Sequence, residues 1–463
     1  MIKGVTCDSR RIKRGSIFVC INGFKDNGYR YIKEAEARGA CAIIADSPVY
    51  SSIPVILCAS PRRKMAELAK RIYGAPDEKM TLIGVTGTNG KTTVTHLIRD
   101  ILTAAGKKTA LIGTNGCYYN HFLTDESFST STTPDSAELW RILKNMRELG
   151  CEYAVCEVSS HALALDRVYG ADFDIGIFTN LTREHLDFHK NMESYFKAKE
   201  ILFEMSRFCV INTDDEYGRR LYEKFSAKSK SVGRNNADIT AKDIVCGIGG
   251  AEFKIIAGEK CSNAKIAVPG EFSVYNALCA YAAGIKLGID ENIVLKALKE
   301  TKGVKGRCER LQLDEDFSVI IDYAHTPDGL ENIIKTLRSI TKGKIITLFG
   351  CGGDRDVSKR PVMGKISGEL SDFTVITSDN QRTENPIKII RDIEKGICGI
   401  TDNYVIIPDR YEAIEYALGR AEPGDTVLLA GKGHEDYLIK GTGKIHFDER
   451  EAVESILGKS KNS

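Results

Sequence analysis

The sequence predicts an α/β protein of three domains. At about 150 residues per domain, its 463 residues leave room for about three separate cores. Short apolar runs without polar alternation recur between helical patterns, as parallel strands covered on both faces require. One of those runs enters a glycine-rich turn that opens a helix, the unit from which doubly wound sheets are built. Hydrophobic residues at 42% and charged residues at 28% are an ordinary globular composition. With 65 basic against 63 acidic residues the net charge is +2, which excludes a strongly basic nucleic-acid binder or an acidic solvating chain. No apolar run approaches the roughly 18 residues of a membrane helix. The start, MIKGVTCDSRRIKRG, has no apolar segment, so no signal peptide is expected. The 14 cysteines, from Cys7 to Cys398, form no C-x-x-C pair. They read as reduced thiols in a reducing compartment, which points to the cytoplasm.

In chain order, strands are expected at 16–21, 41–45 and 54–58, with helices at 31–38, before Gly39, and at about 62–73. Gly74-Ala75-Pro76-Asp77 interrupts the pattern. A strand at 80–85 and a helix at 92–105 follow, then buried strands at 151–157, 174–180 and 208–212 and a long helix at 273–287. A second break falls at Thr301-Lys302-Gly303. The last third again alternates, with strands expected at 318–323, 344–349, 373–377, 404–407 and 426–430. The expected domains are therefore 1–77, 78–301 and 302–463. Each strand of the last third runs into a polar or glycine-bearing loop, where open α/β sheets place ligands. No internal repeat stands out.

The strongest local signal is Gly84-Val85-Thr86-Gly87-Thr88-Asn89-Gly90-Lys91-Thr92-Thr93. Successive backbone N–H groups in such a turn can wrap a phosphate, and the helix N-terminus favours the same anion. Lys91 can reach the β- and γ-phosphates, and the Thr92 hydroxyl can ligate Mg²⁺. Val85 stands where the usual pattern has its first glycine, so the match is G-x-x-G-K-T. Glu157 ends a buried strand beside this loop, which suits either Mg²⁺ or the cap of the next helix. His185 and His189 are four apart in NLTREHLDFH, without the glutamate placement of a zinc protease. From sequence alone His185 is equally a structural histidine. Lys199 is more telling. At about 100° per residue on a helix, Tyr195, Phe196, Leu202 and Phe203 share one face with Lys199 at its centre. An ammonium there must snorkel out, be paired, or be chemically changed.

These residues resemble the Mur ligases. The resemblance rests on GTNGKT at 87–92, STTPD at 131–135, EVSSHAL at 157–163, NLTREHLDFH at 180–189, YFKAKEILF at 195–203, DYAHTPD at 322–328, GCGGDRD at 350–356, KRP at 359–361 and GKGHED at 431–436. It covers nearly the whole chain. It implies an N-terminal UDP-binding domain, a central ATPase domain with the phosphate loop Gly87, Thr88, Asn89, Gly90, Lys91, Thr92 and Thr93, and a C-terminal Rossmann-like domain that binds the incoming amino acid. It implies ATP, Mg²⁺ held by Thr92, Glu157, His185 and Lys199, and a carbamate on Lys199. Asn276 resembles the adenine contact, and Arg307 and Asp322 resemble residues with which the C-terminal domain closes on ATP. Thr132, Thr133, Ser159 and Arg167 resemble contacts to a UDP-sugar peptide, and Ser9 resembles a uridine-site residue.

The family member implied adds the third residue of the peptidoglycan stem, meso-diaminopimelate or L-lysine, to UDP-N-acetylmuramoyl-L-alanyl-D-glutamate through an acyl phosphate. The two diamino acids differ by a carboxylate, which an arginine suits. The diaminopimelate type resembles D-N-P-R; here the loop reads Asp379-Asn380-Gln381-Arg382, with glutamine for proline. An alternative for Arg382 is a surface ion pair with Glu384. Arg355 resembles the carboxylate clamp, and Gly431 and Glu435 resemble partners of the side-chain terminus. The expectation is a monomeric diaminopimelate-adding ligase with no nucleic-acid or membrane partner. An L-lysine-adding enzyme, a folylpolyglutamate-type ligase and an inactive nucleotide-binding scaffold are the alternatives. The last would have no need of Lys91, Glu157, His185 and Lys199 together.

Overall fold

In a computed structural model, residues 2–23, 27–124, 126, 128–130 and 132–460 are described. Ser131, the first residue of the 131–135 run, lies outside them. The chain divides into two units, Met1–Thr240 with Ala257–Glu259 and Tyr275–Ala297, and Ala241–Ile256 with Lys260–Val274 and Leu298–Ser463.

The first unit opens with a parallel sheet of Gly4–Thr6, Ser16–Val19, Ala42–Ala45 and Val55–Leu57, in that order. It belongs to this unit because Val5, Ile17, Val19, Ile44 and Met65 pack in one apolar core with Met80, Leu82, Trp140 and Met146. The larger sheet runs Ser229–Gly233, Ser206–Asn212, Phe173–Phe178, Thr81–Thr86, Tyr153–Glu157 and Thr109–Gly113, all parallel. Two short antiparallel strands, Gly116–Tyr119 and Phe122–Leu123, extend it. Thr81–Thr86 lies at the middle of the parallel run, between Phe173–Phe178 and Tyr153–Glu157. Its Leu82, Ile83 and Val85 are buried, which explains the unbroken apolar pattern. Because the strands are parallel, the loops after Thr86, Gly113, Glu157 and Phe178 all leave from one edge of the sheet.

Helix boundaries follow local chemistry. The helix Lys91–Ala104 starts at Gly90, in the left-handed region at φ 84°, and buries Val94, Leu97, Ile98 and Ile101. Ser136–Glu148 begins with a capping box of Asp135 and Glu138. Met192–Glu204 begins at Asn191, whose side chain accepts the Ser194 N–H.

In the second unit a sheet is ordered Glu309–Arg310, Ser318–Asp322, Thr426–Ala430, Ile345–Phe349, Phe373–Ile376 and Tyr404–Ile406. Its first pair is antiparallel and the others are parallel. Here too the loops beginning at Tyr323, Gly350, Thr377 and Gly431 share one edge. The strands Ile239–Gly247, Gly250–Ala257 and Lys260–Ile266 were not expected from the sequence. Gly250–Ala257 alternates in burial and the other two strands are exposed along much of their length, so no apolar run marks them. Among the described residues no helix is long and apolar enough to cross a membrane.

Candidate functional site

The glycine-rich turn between Thr86 and Lys91 is fastened to the neighbouring strand end. The Thr88 N–H donates to the Asn180 carbonyl at 2.9 Å, the Asn89 N–H to Asn180 Oδ1 at 2.9 Å, and Thr179 Oγ1 to the Asn89 carbonyl at 2.6 Å. Gly87, at φ 153°, lies so close to Thr179 that an added Cβ would collide with its hydroxyl. Asn276, on the helix Glu271–Lys286, directs Oδ1 at Gly90, which places the expected adenine contact beside the loop.

Two amines converge on one carbonyl. Lys91 Nζ donates to the Gly87 oxygen at 2.9 Å and Lys199 Nζ to the same oxygen at 2.8 Å. Lys91 also reaches the Thr88 carbonyl at 2.8 Å. Lys199 is buried, so its amine does not snorkel to solvent. Burial, reinforced by repulsion from Lys91, pushes the Lys199 amine well below its ordinary range. The helical spacing had placed it on the apolar face, and the structure puts Tyr195, Phe196, Leu202 and Phe203 in the core with it. The Tyr195 ring centroid is 4.6 Å from Lys199 Nζ and 6.1 Å from the His185 ring. Tyr195 thus neighbours both expected ligands, and its hydroxyl is 3.2 Å from Thr88 Oγ1. His185 takes a left-handed backbone, φ 55°, and burial lowers its imidazole. His189 is turned elsewhere, onto Ser160 Oγ at 2.9 Å, and stacks on Tyr195.

Glu157 is fully buried at its strand end. Its Oε2 accepts from Thr92 Oγ1 at 3.0 Å, so the two oxygen donors expected for Mg²⁺ are adjacent. It also accepts from Thr114, through the backbone N–H at 2.9 Å and the hydroxyl at 3.0 Å. An added Cβ at Gly113 would collide with this carboxylate. Hard oxygen donors, a carboxylate and a cradle that admits no side chain fit a small divalent cation.

Next to Glu157, Thr133 Oγ1 donates to its carbonyl at 2.9 Å and lies 3.2 Å from Ser159 Oγ. Arg167 reaches the Thr133 carbonyl at 3.3 Å and Asp135 at 3.3 Å. Thr132 Oγ1 is 3.4 Å from Thr114 Oγ1. The expected substrate residues Thr132, Thr133, Ser159 and Arg167 therefore form one network with Glu157. Ser9 is buried and gives its hydroxyl to Glu34 at 2.9 Å.

In the second unit, Asp322 accepts the backbone N–H groups of Cys308 at 2.7 Å and Ala324 at 2.8 Å. Burial raises its carboxyl while Arg307 opposes the shift, so the expected pair is together. The Arg307 guanidinium lies 4.8 Å over the Tyr323 ring. Asp379, Asn380 and Glu435 also meet. Asn380 Nδ2 donates to Glu435 Oε2 at 2.8 Å, and Asn380 N–H to Asp379 Oδ1 at 2.6 Å. Gly431 packs against Asp379. Burial raises the Glu435 carboxyl, with Lys432 opposing at 3.4 Å.

Arg382 donates to the carbonyls of Gly353 at 2.8 Å and Asn380 at 3.3 Å. The alternative ion pair with Glu384 is overturned. Glu384 is engaged by the buried Arg360 at 2.8 Å, which satisfies its charge before Arg382 can. Arg355 is exposed and its guanidinium is 3.4 Å from the Asp354 carbonyl.

Sequence reasoning did not single out Thr114 or Thr179, and gave no site role to Tyr195, named only as part of the apolar face, or to Asn180 and Lys432, quoted only within motifs. One signal was available for Thr114: Gly-Thr-Asn-Gly at 87–90 recurs at 113–116, each time at the C-terminal end of a strand of the same sheet. Thus an internal repeat does exist, only four residues long. The fully buried Lys432 sits in the quoted GKGHED run but carries no periodic signature.

His434 offers a pH test. Burial, with Arg307, Arg450 and Lys305 nearby and Asp436 opposing, pushes its imidazole down to about 4. The unfolded chain protonates near 6.5, so stability from this group is complete above that value and lost as pH falls from 6.5 toward 4. The urea midpoint of the protein is expected to drop across that window, with a shallower fall for His434→Gln. Equal slopes would contradict this assignment.

The first unit thus carries the phosphate loop of a nucleotide-binding α/β protein, and the second unit, taken by itself, gathers Asp379, Asn380, Gly431 and Glu435 at its own sheet edge. Comparison with known proteins narrows the class. Residues 1–73 match the family model described as Mur ligase family, catalytic domain; residues 85–284 the Mur ligase middle domain; and residues 306–433 the Mur ligase, glutamate ligase domain. The chain is 44% identical over 464 residues to the UDP-N-acetylmuramoyl-L-alanyl-D-glutamate--2,6-diaminopimelate ligase of Clostridium tetani, covering 98% of this chain and 95% of the relative. It is 45% identical to the ligase of the same name from Caldanaerobacter subterraneus subsp. tengcongensis, covering 99% and 95%. A solved structure of a ligase of that name aligns with a TM-score of 0.73 at 31% identity, covering 100% of this chain and 96% of that one. The chain belongs to the Mur ligase family.

Proposed function

We propose that this chain joins meso-2,6-diaminopimelate to UDP-N-acetylmuramoyl-L-alanyl-D-glutamate at the expense of ATP, in the cytoplasmic assembly of peptidoglycan precursors. The observation that carries the reading is the convergence of Lys91 and Lys199 on the Gly87 carbonyl beside the Thr92–Glu157 pair. A phosphate cradle and a cation site then share one sheet edge with Thr132, Thr133, Ser159 and Arg167. The full-length relatives that bear this activity in their names support the same reading.

In this proposal the loop N–H groups and Lys91 hold the ATP phosphates, and Asn276 meets the adenine. Thr133, Ser159 and Arg167 hold the acceptor peptide so that its terminal carboxylate takes the γ-phosphoryl group. The resulting acyl phosphate is a competent electrophile, which a bare carboxylate is not. The diamino acid's free amine attacks it and phosphate leaves. Thr92, Glu157, His185 and a carbamate on Lys199 would hold Mg²⁺, which supplies neutralisation of the phosphates' charge. The neutral amine that burial favours at Lys199 is the form that reacts with CO₂, giving up a proton as the N–C bond forms. An anion there also ends its repulsion with Lys91.

Arg382 and Glu435 are proposed to face the far end of the diamino acid, its carboxylate and its ammonium respectively. Phosphate release should require both the UDP-dipeptide and the diamino acid, with diaminopimelate preferred over L-lysine. Release without an amino acid, or equal use of both, would overturn the proposal or its specificity. Arg382→Ala is expected to raise the KM for diaminopimelate about 10-fold to 100-fold, the loss of a charge-assisted pair, and to leave the KM for ATP unchanged.

A further inference from the structure

The carboxylate of Glu157 has two oxygens, and Thr114 engages both. The Thr114 N–H donates to Oε1 and its hydroxyl to Oε2, at 2.9 and 3.0 Å. Two donors from one residue fix the rotation of a carboxylate plane as a single contact cannot. Thr92 Oγ1, donating to the same Oε2 at 3.0 Å, keeps its lone pairs turned away from Glu157. Thr114 is positioned by the end of the strand Thr109–Gly113, which pairs with the strand that carries Glu157. Gly113 leaves the room in which the carboxylate lies. Thr114 Oγ1 has one proton to donate and two acceptors in reach, Glu157 Oε2 at 3.0 Å and Thr132 Oγ1 at 3.4 Å, of which the carboxylate is the nearer and the charged one.

We propose that Thr114 is a positioning residue for the divalent cation: it holds Glu157 in the one orientation in which that carboxylate and Thr92 face the same ion. The inference rests on the reading of Glu157 as a cation-facing carboxylate. Outer partners that orient ligands typically change metal affinity about 10-fold to 100-fold when removed.

The test is Mn²⁺ binding, read from its electron-spin resonance signal, to the full-length protein with a non-hydrolysable ATP analogue and no acceptor. Thr114→Val keeps the backbone donor and removes the hydroxyl. It is expected to weaken Mn²⁺ about 10-fold, and Thr114→Ser to restore binding to within about threefold of the parent. The Mg²⁺ concentration for half-maximal ligation should rise in parallel, with the KM for the diamino acid unmoved. If Thr114→Val fails to fold, Thr114→Ala carries the same expectation. Glu157→Gln is measured alongside. Should it weaken Mn²⁺ while Thr114→Val does not, the role of Thr114 is overturned and that of Glu157 stands. Should neither variant alter Mn²⁺ binding, both fall.

Discussion

Lys91→Ala is expected to cut ATP-dependent phosphate release about 1,000-fold, the scale at which a preorganised charge on a transferring phosphoryl group acts. The amine is held at two loop carbonyls, Gly87 and Thr88, at 2.9 and 2.8 Å. Its charge is therefore held at the loop whose N–H groups are proposed to wrap the phosphates. Its removal leaves the loop's own fastening through Thr179 and Asn180 untouched, so the variant should fold and bind ATP more weakly. Initial rates with all substrates and Mg²⁺ check this. A variant within about threefold of the parent would remove the phosphate loop from the chemistry.

Lys199→Ala is expected to lose turnover by about 100-fold to 1,000-fold, with partial recovery when a small carboxylate such as acetate is added to fill the space of the proposed carbamate. The parent should respond to dissolved CO₂ in degassed buffer, and ¹³C-labelled bicarbonate should give a carbamate resonance that Lys199→Ala lacks. Full activity without CO₂, and no such resonance, would sink the carbamate. Stability carries an independent sign. The native amine lies well below its ordinary range, so the unfolded chain binds a proton that the native one releases. In CO₂-free buffer stability therefore rises with pH between that lowered value and about 10.5, where the unfolded lysine titrates. Lys199→Met should flatten the rise.

Much of this was legible because parallel strands buried on both faces write themselves as unbroken apolar runs. Thr81–Thr86, Phe173–Phe178 and Thr426–Ala430 were found within a residue or two for that reason. The strands Ile239–Gly247 to Lys260–Ile266 were not, because their exposed polar residues break up the apolar signal. At the site, Lys199 was legible through a conflict, a cation at the centre of an apolar helix face. Thr114, Thr179 and Asn180 present no such conflict. They are polar residues in loops, where polarity is expected, and only the lateral order of the strands brings them to Glu157 and Asn89. The fate of Glu384 was equally invisible, since its partner Arg360 is 24 positions away in sequence and buried.

The missing side chains at Gly87 and Gly113 have a consequence for inhibition. Even a methyl group at either position would strike Thr179 or Glu157. A small molecule resting against that floor would touch ground from which the protein cannot mutate away without dismantling its own catalyst. Escape from such a compound would have to arise at neighbouring positions rather than at these two.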